Sequence, residues 1–296
     1  MRKMSECVHS GFLPDDVDKG SKSNQVRSIM INLLMMVGTA VMLLPFLWML
    51  SASFKPEVDI FEYPIRWIPK RFTWEQHLQV WQKLNFGLYF FNSMKITILG
   101  VIVEVFTSAL AAYGFARIKW PGRDKIFMLY ITTLMIPYAV IMIPQYRLLN
   151  MFHLTNSHQG LIVLYAFTAF GTFLLRQYFI LIPEEYSESA RLDGAGEFRI
   201  FRQIILPLAG PGVAALVILR FVDIWNDFLG PLIYLTDQCL KTIPRALSDF
   251  RIDAQAQERY GLVMAGAVAS LVPIVLIYVF CQRYIIEGIA NTGIKG

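Results

Sequence analysis

Glu104 stands midway along an otherwise apolar stretch, and Arg220, Asp223, Asn226 and Asp227 stand together in another. A charge inside a bilayer costs at least about 2.5 kcal/mol on insertion scales, so each of these groups must face protein or water. Arg220, Asp223 and Asp227 fall at i, i+3 and i+7, one helical face, with Asn226 a turn beyond Asp223. Such a face can line a path and offer donors and acceptors to solute hydroxyls. An ion pair that only fixes helix packing fits the same spacing, and the spacing leaves both readings open. Glu104 needs a partner, and Arg220 is the candidate.

Bond-making chemistry finds no support. His9, His77, His153 and His158 are scattered, and there is no HExxH, nucleophile elbow or Gly-x4-Gly-Lys-Ser/Thr phosphate loop. Cys7, Cys239 and Cys281 share no metal-ligand spacing and make no disulfide framework. The chain is therefore expected not to be an enzyme, to bind no metal and to hold no cofactor. A membrane-embedded hydrolase would need activity that no residue pattern here supplies.

The surrounding composition explains why buried charge matters. Of 296 residues 55% are hydrophobic and only 17% charged, and the mean hydropathy is +0.48, too apolar for a soluble domain of this size. The net charge of +5 then speaks to orientation in a bilayer, not to nucleic acid.

A hydrocarbon core takes about 20 apolar helical residues to cross. Six stretches qualify, running approximately from Ser28 to Leu50, Phe91 to Ala116, Lys125 to Tyr146, Gly160 to Ile182, Ala209 to Leu235 and Leu262 to Cys281. The first is too long for the apolar part of a secretory signal, and five more follow. Arg117, Lys119, Arg123 and Lys125 crowd the connection after the second span, which makes it cytoplasmic, with both termini inside. Long outer loops then run over 52–90 and 236–260. In the first, Thr73 with Gln76 fits a capping box, and Trp74, Leu78 and Trp81 share a helical face, suited either to the membrane interface or to packing on the protein.

Residues 1–27 mix acids, lysines, Ser and Gly, and are expected to be a flexible cytoplasmic segment before the membrane domain of 28–296. Pro137 and Pro144 predict a kink in the third span, with Pro137 a candidate to line a cavity. Gly261, Ala265 and Ala269 form a small-residue stripe in the sixth, suited to close helix contact.

Between the fourth and fifth spans, residues 183–207 read as helix, turn, helix. Pro183, Glu184 and Glu185 suit a helix start. Asp193 and Gly194 break it, Gly194 being free to take positive φ and Asp193 able to cap the next helix. Phe198, Phe201 and Ile205 share a face opposite Arg199, Arg202 and Gln203, and Pro207 stops the second helix. Periodicity alone allows either a docking knob for a soluble partner or a polar connector lying on the lipid surface.

The residues of this loop carry a resemblance. Glu188-Ser189-Ala190, Gly194 six places after the Glu, then Ile204, Leu206 and Pro207 resemble the EAA loop of binding-protein-dependent ABC importer permeases. Ser189 in place of the middle Ala is the one departure. Pro45 to Lys55, Tyr113 to Arg117, Trp225 to Leu229, Gln282 to Tyr284 and the tail Gly293 to Gly296 are similar to the MalG-like second permease of carbohydrate importers.

The resemblance implies an all-α polytopic protein with six transmembrane helices, a cytoplasmic coupling loop over 183–207 and a cytoplasmic tail over 282–296. It implies that Glu188, Ser189, Ala190, Asp193, Gly194, Ile204, Leu206 and Pro207 engage the ATPase. It further implies a bacterial or archaeal inner-membrane location and a second permease as heterodimer partner. Two cytoplasmic ATPases that bind ATP and Mg, an external solute-binding protein, and a sugar, oligosaccharide or glycerol-phosphate-like solute complete the set. The alternative from another class is a secondary transporter or channel driven by an ion gradient, with Glu104, Asp223 and Asp227 as ion sites; it leaves the hairpin unexplained.

Overall fold

The computed structural model describes the backbone of residues 22–83, 85–257 and 259–293, and the side chains of 27–82, 85–252 and 259–282. Residues 1–21 of the expected flexible segment, and the side chains of Arg283, Tyr284 and the tail, lie outside the described residues. The chain divides into two units, Met1–Met49 and Leu50–Gly296. Helix α1 (Lys22–Ser53) begins six residues before the expected first span, so 22–27 are helical and not a loose lead-in.

Then follow α2 (Glu57–Ile60), α3 (Glu75–Lys83), α4 (Phe86–Ala116), α5 (Arg123–Thr132) with a 3-10 turn (Thr133–Met135), α6 (Tyr138–Met151), α7 (His158–Tyr165) and α8 (Ala169–Leu181). The hairpin is α9 (Glu185–Leu192), α10 (Glu197–Ile200), a π turn (Phe201–Ile205) and α11 (Leu206–Leu208). The chain ends with α12 (Gly210–Trp225), α13 (Leu229–Tyr234), α14 (Ile243–Gln257) and α15 (Tyr260–Gly293). Among the described residues all regular structure is helical. The helix of the expected sixth span runs on through Gly293, so 282–293 of the expected tail continues α15.

Three helices, Arg27–Ser53, Phe86–Ala116 and Tyr260–Gln282, are long and apolar enough to cross a membrane, and up to six spans result if each bent pair counts as one. The middle spans are broken. Arg123–Met135 meets Tyr138–Met151 at 102°, because Ile136, preceding Pro137, is driven to extended backbone. The expected kink is therefore a full break there, while Pro144 stays inside α6. Thirteen residues of helix reach only about 20 Å, short of the roughly 30 Å hydrocarbon core.

Helices α7 and α8 meet at 42°, where Thr168 is extended and Thr107 of α4 donates to the Ala166 carbonyl. The expected fifth span is likewise not continuous. Within it α12 stops at Trp225 before α13 begins at Leu229, and at its start a 78° bend at Ala209 separates the hairpin's second arm from α12.

Helix α4 is the axis of the larger unit, packing on α3, α7, α8, α12 and α14. It runs through two apolar cores. Phe86, Tyr89, Ile96 and Val101 belong to one, with Phe221, Ile224 and Trp225 of α12. Ala109, Ala112 and Tyr113 belong to the other, with Leu175 and Phe179 of α8 and Leu216 of α12. Small residues let these helices approach: a Cβ on Gly171 of α8 would lie 2.6 Å from Ser108 Oγ and 3.2 Å from its Cβ.

The connections expected outside also fold onto the unit. The expected 236–260 loop contains α14, started by Ser93 Oγ accepting from the Ile243 N–H at 2.8 Å, and Asn92 donates to the carbonyls of Cys239 and Lys241. Helix α3 packs on α4 and α15 through buried Gln76 and Val80 and leaves Trp74, Leu78 and Trp81 outward. The reciprocal capping box does not form, since Gln76 donates instead to the Lys55 carbonyl at 2.6 Å, and only Thr73 accepts, from the Glu75 N–H. Glu57 accepts from the Gly261 N–H at 2.9 Å, closing the start of α15; burial raises its carboxyl above the usual carboxylate range, and the Gly261 N–H works in the opposite direction.

The close α4/α8 approach makes Gly171→Ala an informative change. We expect a loss of about 1–3 kcal/mol from overpacking, read as a lower unfolding midpoint of the solubilised chain. Gly114→Ala, with nothing within 4 Å of the added Cβ, should be neutral or stabilising by up to about 1 kcal/mol.

Candidate functional site

The breaks at 136–137, 166–168 and 226–228 meet at one cavity of about 380 Å³. Tyr138 and Gln145 come from α6 and Tyr165 from α7. Phe167 and Thr168 come from the α7/α8 break, and Arg220 and Asp223 from α12. Asp227 and Gly230 stand at the start of α13, and Tyr234 at its end. Irregular backbone at membrane depth is tolerated where it lines a cavity, and here the breaks and the cavity coincide.

Its anchor is an ion pair. Glu104 is fully buried, and Arg220 Nε lies 2.6 Å from its Oε1 and donates to its Oε2 at 2.7 Å. Arg220 Nη1 donates to Asp223 at 2.7 Å. One guanidinium thus serves two carboxylates, one buried behind it and one whose side chain is 66% exposed. Asp227 is held differently, accepting from the Tyr165 hydroxyl at 2.5 Å and from the Gly230 N–H at 3.1 Å. A side chain on Gly230 would collide with that carboxylate. Tyr234 Oη lies 3.1 Å from both the Met142 carbonyl and Gln145 Oε1.

The residues expected at a path therefore separate. Arg220, Asp223 and Asp227 line the cavity, and Glu104 sits behind Arg220. Asn226 is exposed and donates to Val222 O of its own helix, away from the lining residues. Pro137 makes the break and is itself exposed. Asp227 lies past the end of α12, so it reaches the same cavity as Arg220 from the start of α13 and not from the α12 face. Sequence reading missed Tyr138, Gln145, Tyr165 and Tyr234, whose one signal is that their hydroxyls and amide lie within apolar stretches and must find partners.

A second constellation surrounds residues 183–207. Helix α9 closes in a complete Schellman motif: the Gly194 N–H bonds Arg191 O at 3.0 Å and the Ala195 N–H bonds Ala190 O at 2.9 Å. Gly194 has φ +80°, a conformation that disfavours any side chain. Asp193 ends α9 and caps nothing beyond; Gly196 stands before α10 without a side-chain cap. Pro183 lies two residues ahead of α9, outside the helix.

In the second arm Ile200, Phe201 and Ile205 are buried against α4 and α8, whereas Phe198 is 63% exposed. The face differs from strict helical spacing because the backbone widens to a π turn before Pro207, whose missing N–H and bulky ring disturb the ladder. Pro207 does not stop the arm; helix continues to Leu208, and the bend comes at Ala209.

Tyr113 ties this hairpin to α4, and Arg117 beside it ties the end of α4 to the end of α8. Tyr113 of α4 donates to Glu197 at 2.6 Å, and Arg191 donates to the same carboxylate at 2.8 Å. Arg117 donates to the Phe179 and Ile182 carbonyls at the end of α8. Ala190 packs inward, while Glu188 and Ser189 point out beside Leu192, which is 89% exposed. The result is a rigid projection with an apolar tip.

Residues 104–290 match the family described as binding-protein-dependent transport system inner membrane component. The chain belongs to that family. The arabinooligosaccharides transport system permease protein AraQ of Halalkalibacterium halodurans is 34% identical over 257 residues, 85% of this permease and 91% of that protein. The diacetylchitobiose uptake system permease protein NgcG of Streptomyces coelicolor is 32% identical over 260 residues, 87% of this permease and 86% of that one. In fold the permease is similar to a chain in the crystal structure of a bacterial ABC transporter involved in the import of the acidic polysaccharide alginate. That match has a TM-score of 0.79 at 21% identity and covers 90% of this permease and 99% of that chain. Such relatives are transport subunits of the inner membrane, and the permease is not an enzyme.

The central pair can be tested in the permease itself. Glu104→Gln or Arg220→Met alone should cost about 3–5 kcal/mol, the penalty for stranding a buried charge. The double variant should cost less than the sum, read by unfolding midpoints; additive losses would show that the two groups do not interact.

Proposed function

We propose that this permease is one of two membrane subunits of an ATP-driven importer for a carbohydrate, crossing the membrane six times with both termini in the cytoplasm. A solute-binding protein delivers the sugar from outside. The cavity walled by Arg220, Asp223 and Asp227 forms part of the translocation path, and Glu104 fixes that wall from behind. Residues 183–207 dock into a cytoplasmic ATPase, two of which bind ATP and Mg. The carbohydrate class rests on AraQ and NgcG, whose names carry oligosaccharide substrates, and on the hydroxyl-rich cavity wall.

The observation that carries the coupling role is the hairpin's construction. Ala190, Ile200, Phe201 and Ile205 root it in the protein, while Leu192 and Phe198 project apolar surface outward. A connector lying passively between spans needs neither a Schellman closure nor a clamp from Tyr113. Exposed apolar side chains on a rigid, polar-rimmed knob suit a protein partner. Ser189 and Glu188 lie on the outward face, Asp193 and Gly194 shape the tip, and Ile204, Leu206 and Pro207 carry the second arm back to α12. A ligand moves such an equilibrium only through different contacts in its two states, so the knob must be held differently with ATP bound and after hydrolysis.

Two results are expected. Gly194→Val should insert and accumulate normally yet lower uptake by at least about tenfold, because a β-branched residue at that φ reshapes the tip; wild-type uptake would sink the coupling role. Uptake should also stop on ATP depletion and survive an ionophore, and the reverse pattern would favour an ion-driven carrier.

A further inference from the structure

The cavity carries more negative charge than its one cation balances. Its wall presents Asp223 and Asp227, Glu104 lies directly behind, and Arg220 is the one basic side chain among the described lining residues. Arg220 is already committed, with Nε on Glu104 and Nη1 on Asp223. Three acidic side chains stand against one guanidinium, so the wall holds more acidic than basic groups. An anionic solute entering here would meet uncompensated carboxylates and a guanidinium already engaged by two of them.

What the wall does offer is suited to hydroxyls. The Asp223 carboxylate projects from the wall with most of its surface free, and a carboxylate with open lone pairs accepts from two neighbouring hydroxyls at once. Gln145 and the Tyr138 hydroxyl supply neutral groups from the opposite helix. Tyr165 and Phe167 add aromatic surface for the apolar face of a pyranose or furanose ring. At about 380 Å³ the space is at the small end of ligand pockets, fit for a short piece of a sugar chain.

We propose that this cavity selects uncharged or amino sugars and excludes anionic solutes such as uronates and sugar or glycerol phosphates, in contrast to the fold neighbour whose transporter imports an acidic polysaccharide. The proposal rests on the reading of the cavity as part of the translocation path. Asp223 is its specificity-determining residue, and the Glu104–Arg220 pair is what keeps the sole cation from serving an anion.

The test has two arms. In the first, the purified transporter, both membrane subunits with their ATPases and without the binding protein, is held in lipid nanodiscs and dialysed to equilibrium against labelled diacetylchitobiose, arabinotriose, glycerol 3-phosphate and an alginate trisaccharide. Retention of an uncharged sugar should exceed that of either anion by at least about tenfold. Asp223→Asn should weaken the uncharged sugar by about tenfold, and Asp223→Glu should restore most of it. Equal or better retention of an anion, no retention of any probe, or indifference to Asp223→Asn overturns the proposal. In the second, ATP-dependent uptake of the same probes is measured in cells carrying the whole transporter. Uptake of an anion overturns the charge selection while leaving the transport reading intact; no ATP-dependent uptake of any sugar or phosphate in the set sinks both.

Discussion

A carboxylate buried halfway along a membrane helix is tolerable only beside a cation, and the Glu104–Arg220 pair meets that demand between two apolar cores. On α4, Val101 lies in one core and Ala109 in the other; on α12, Leu216 and Phe221 divide in the same way. The pair therefore sets the register between α4 and α12. Sliding α12 by one turn would strand both charges in hydrocarbon, a cost of several kcal/mol that packing alone would not impose.

From this fixed pair the rest of the wall follows. With Arg220 held by α4, Asp223 one turn on is drawn to its free edge, and the termination of α12 at Trp225 turns Asp227 toward Tyr165. Two helix breaks at the cavity have freed polar groups answered locally: Thr107 serves the Ala166 carbonyl, and Asp227 serves the Gly230 N–H. The broken middle spans and the polar cavity are one solution to one problem, that backbone released from a helix must be satisfied inside the protein.

Much of this was legible in the residues. Apolar runs marked the three helices long enough to cross a membrane, the positive φ of Gly194 followed from its place in the hairpin, and Arg220 was the candidate partner for Glu104. Other features depend on contacts that periodicity does not encode. Past the end of α12, Asp227 reaches Gly230 and Tyr165, the latter 62 residues away, so a helical wheel drawn through Asp227 finds the right cavity by a helix that has already ended. Gln76 abandoned its capping box for the Lys55 carbonyl, and Phe198 left the buried face because a π turn shifted the residues after it. Prolines were read as kinks; whether Pro137 bends or breaks its helix is decided by the packing on either side.

The length of α4 has a mechanical consequence. Its 31 residues extend about 46 Å, well beyond the roughly 30 Å of hydrocarbon, so a single straight element carries Tyr113 at the root of the hairpin and Glu104 at the back of the cavity, nine residues or about 14 Å apart. Over that arm a tilt of about 10° pivoting near Tyr113 would carry Glu104 sideways by about 2 Å, enough to pull a carboxylate out of hydrogen-bond reach of its guanidinium. Leverage of this kind needs no chain of side-chain rearrangements; stiffness alone converts a small swing at one end into an altered electrostatic wall at the other.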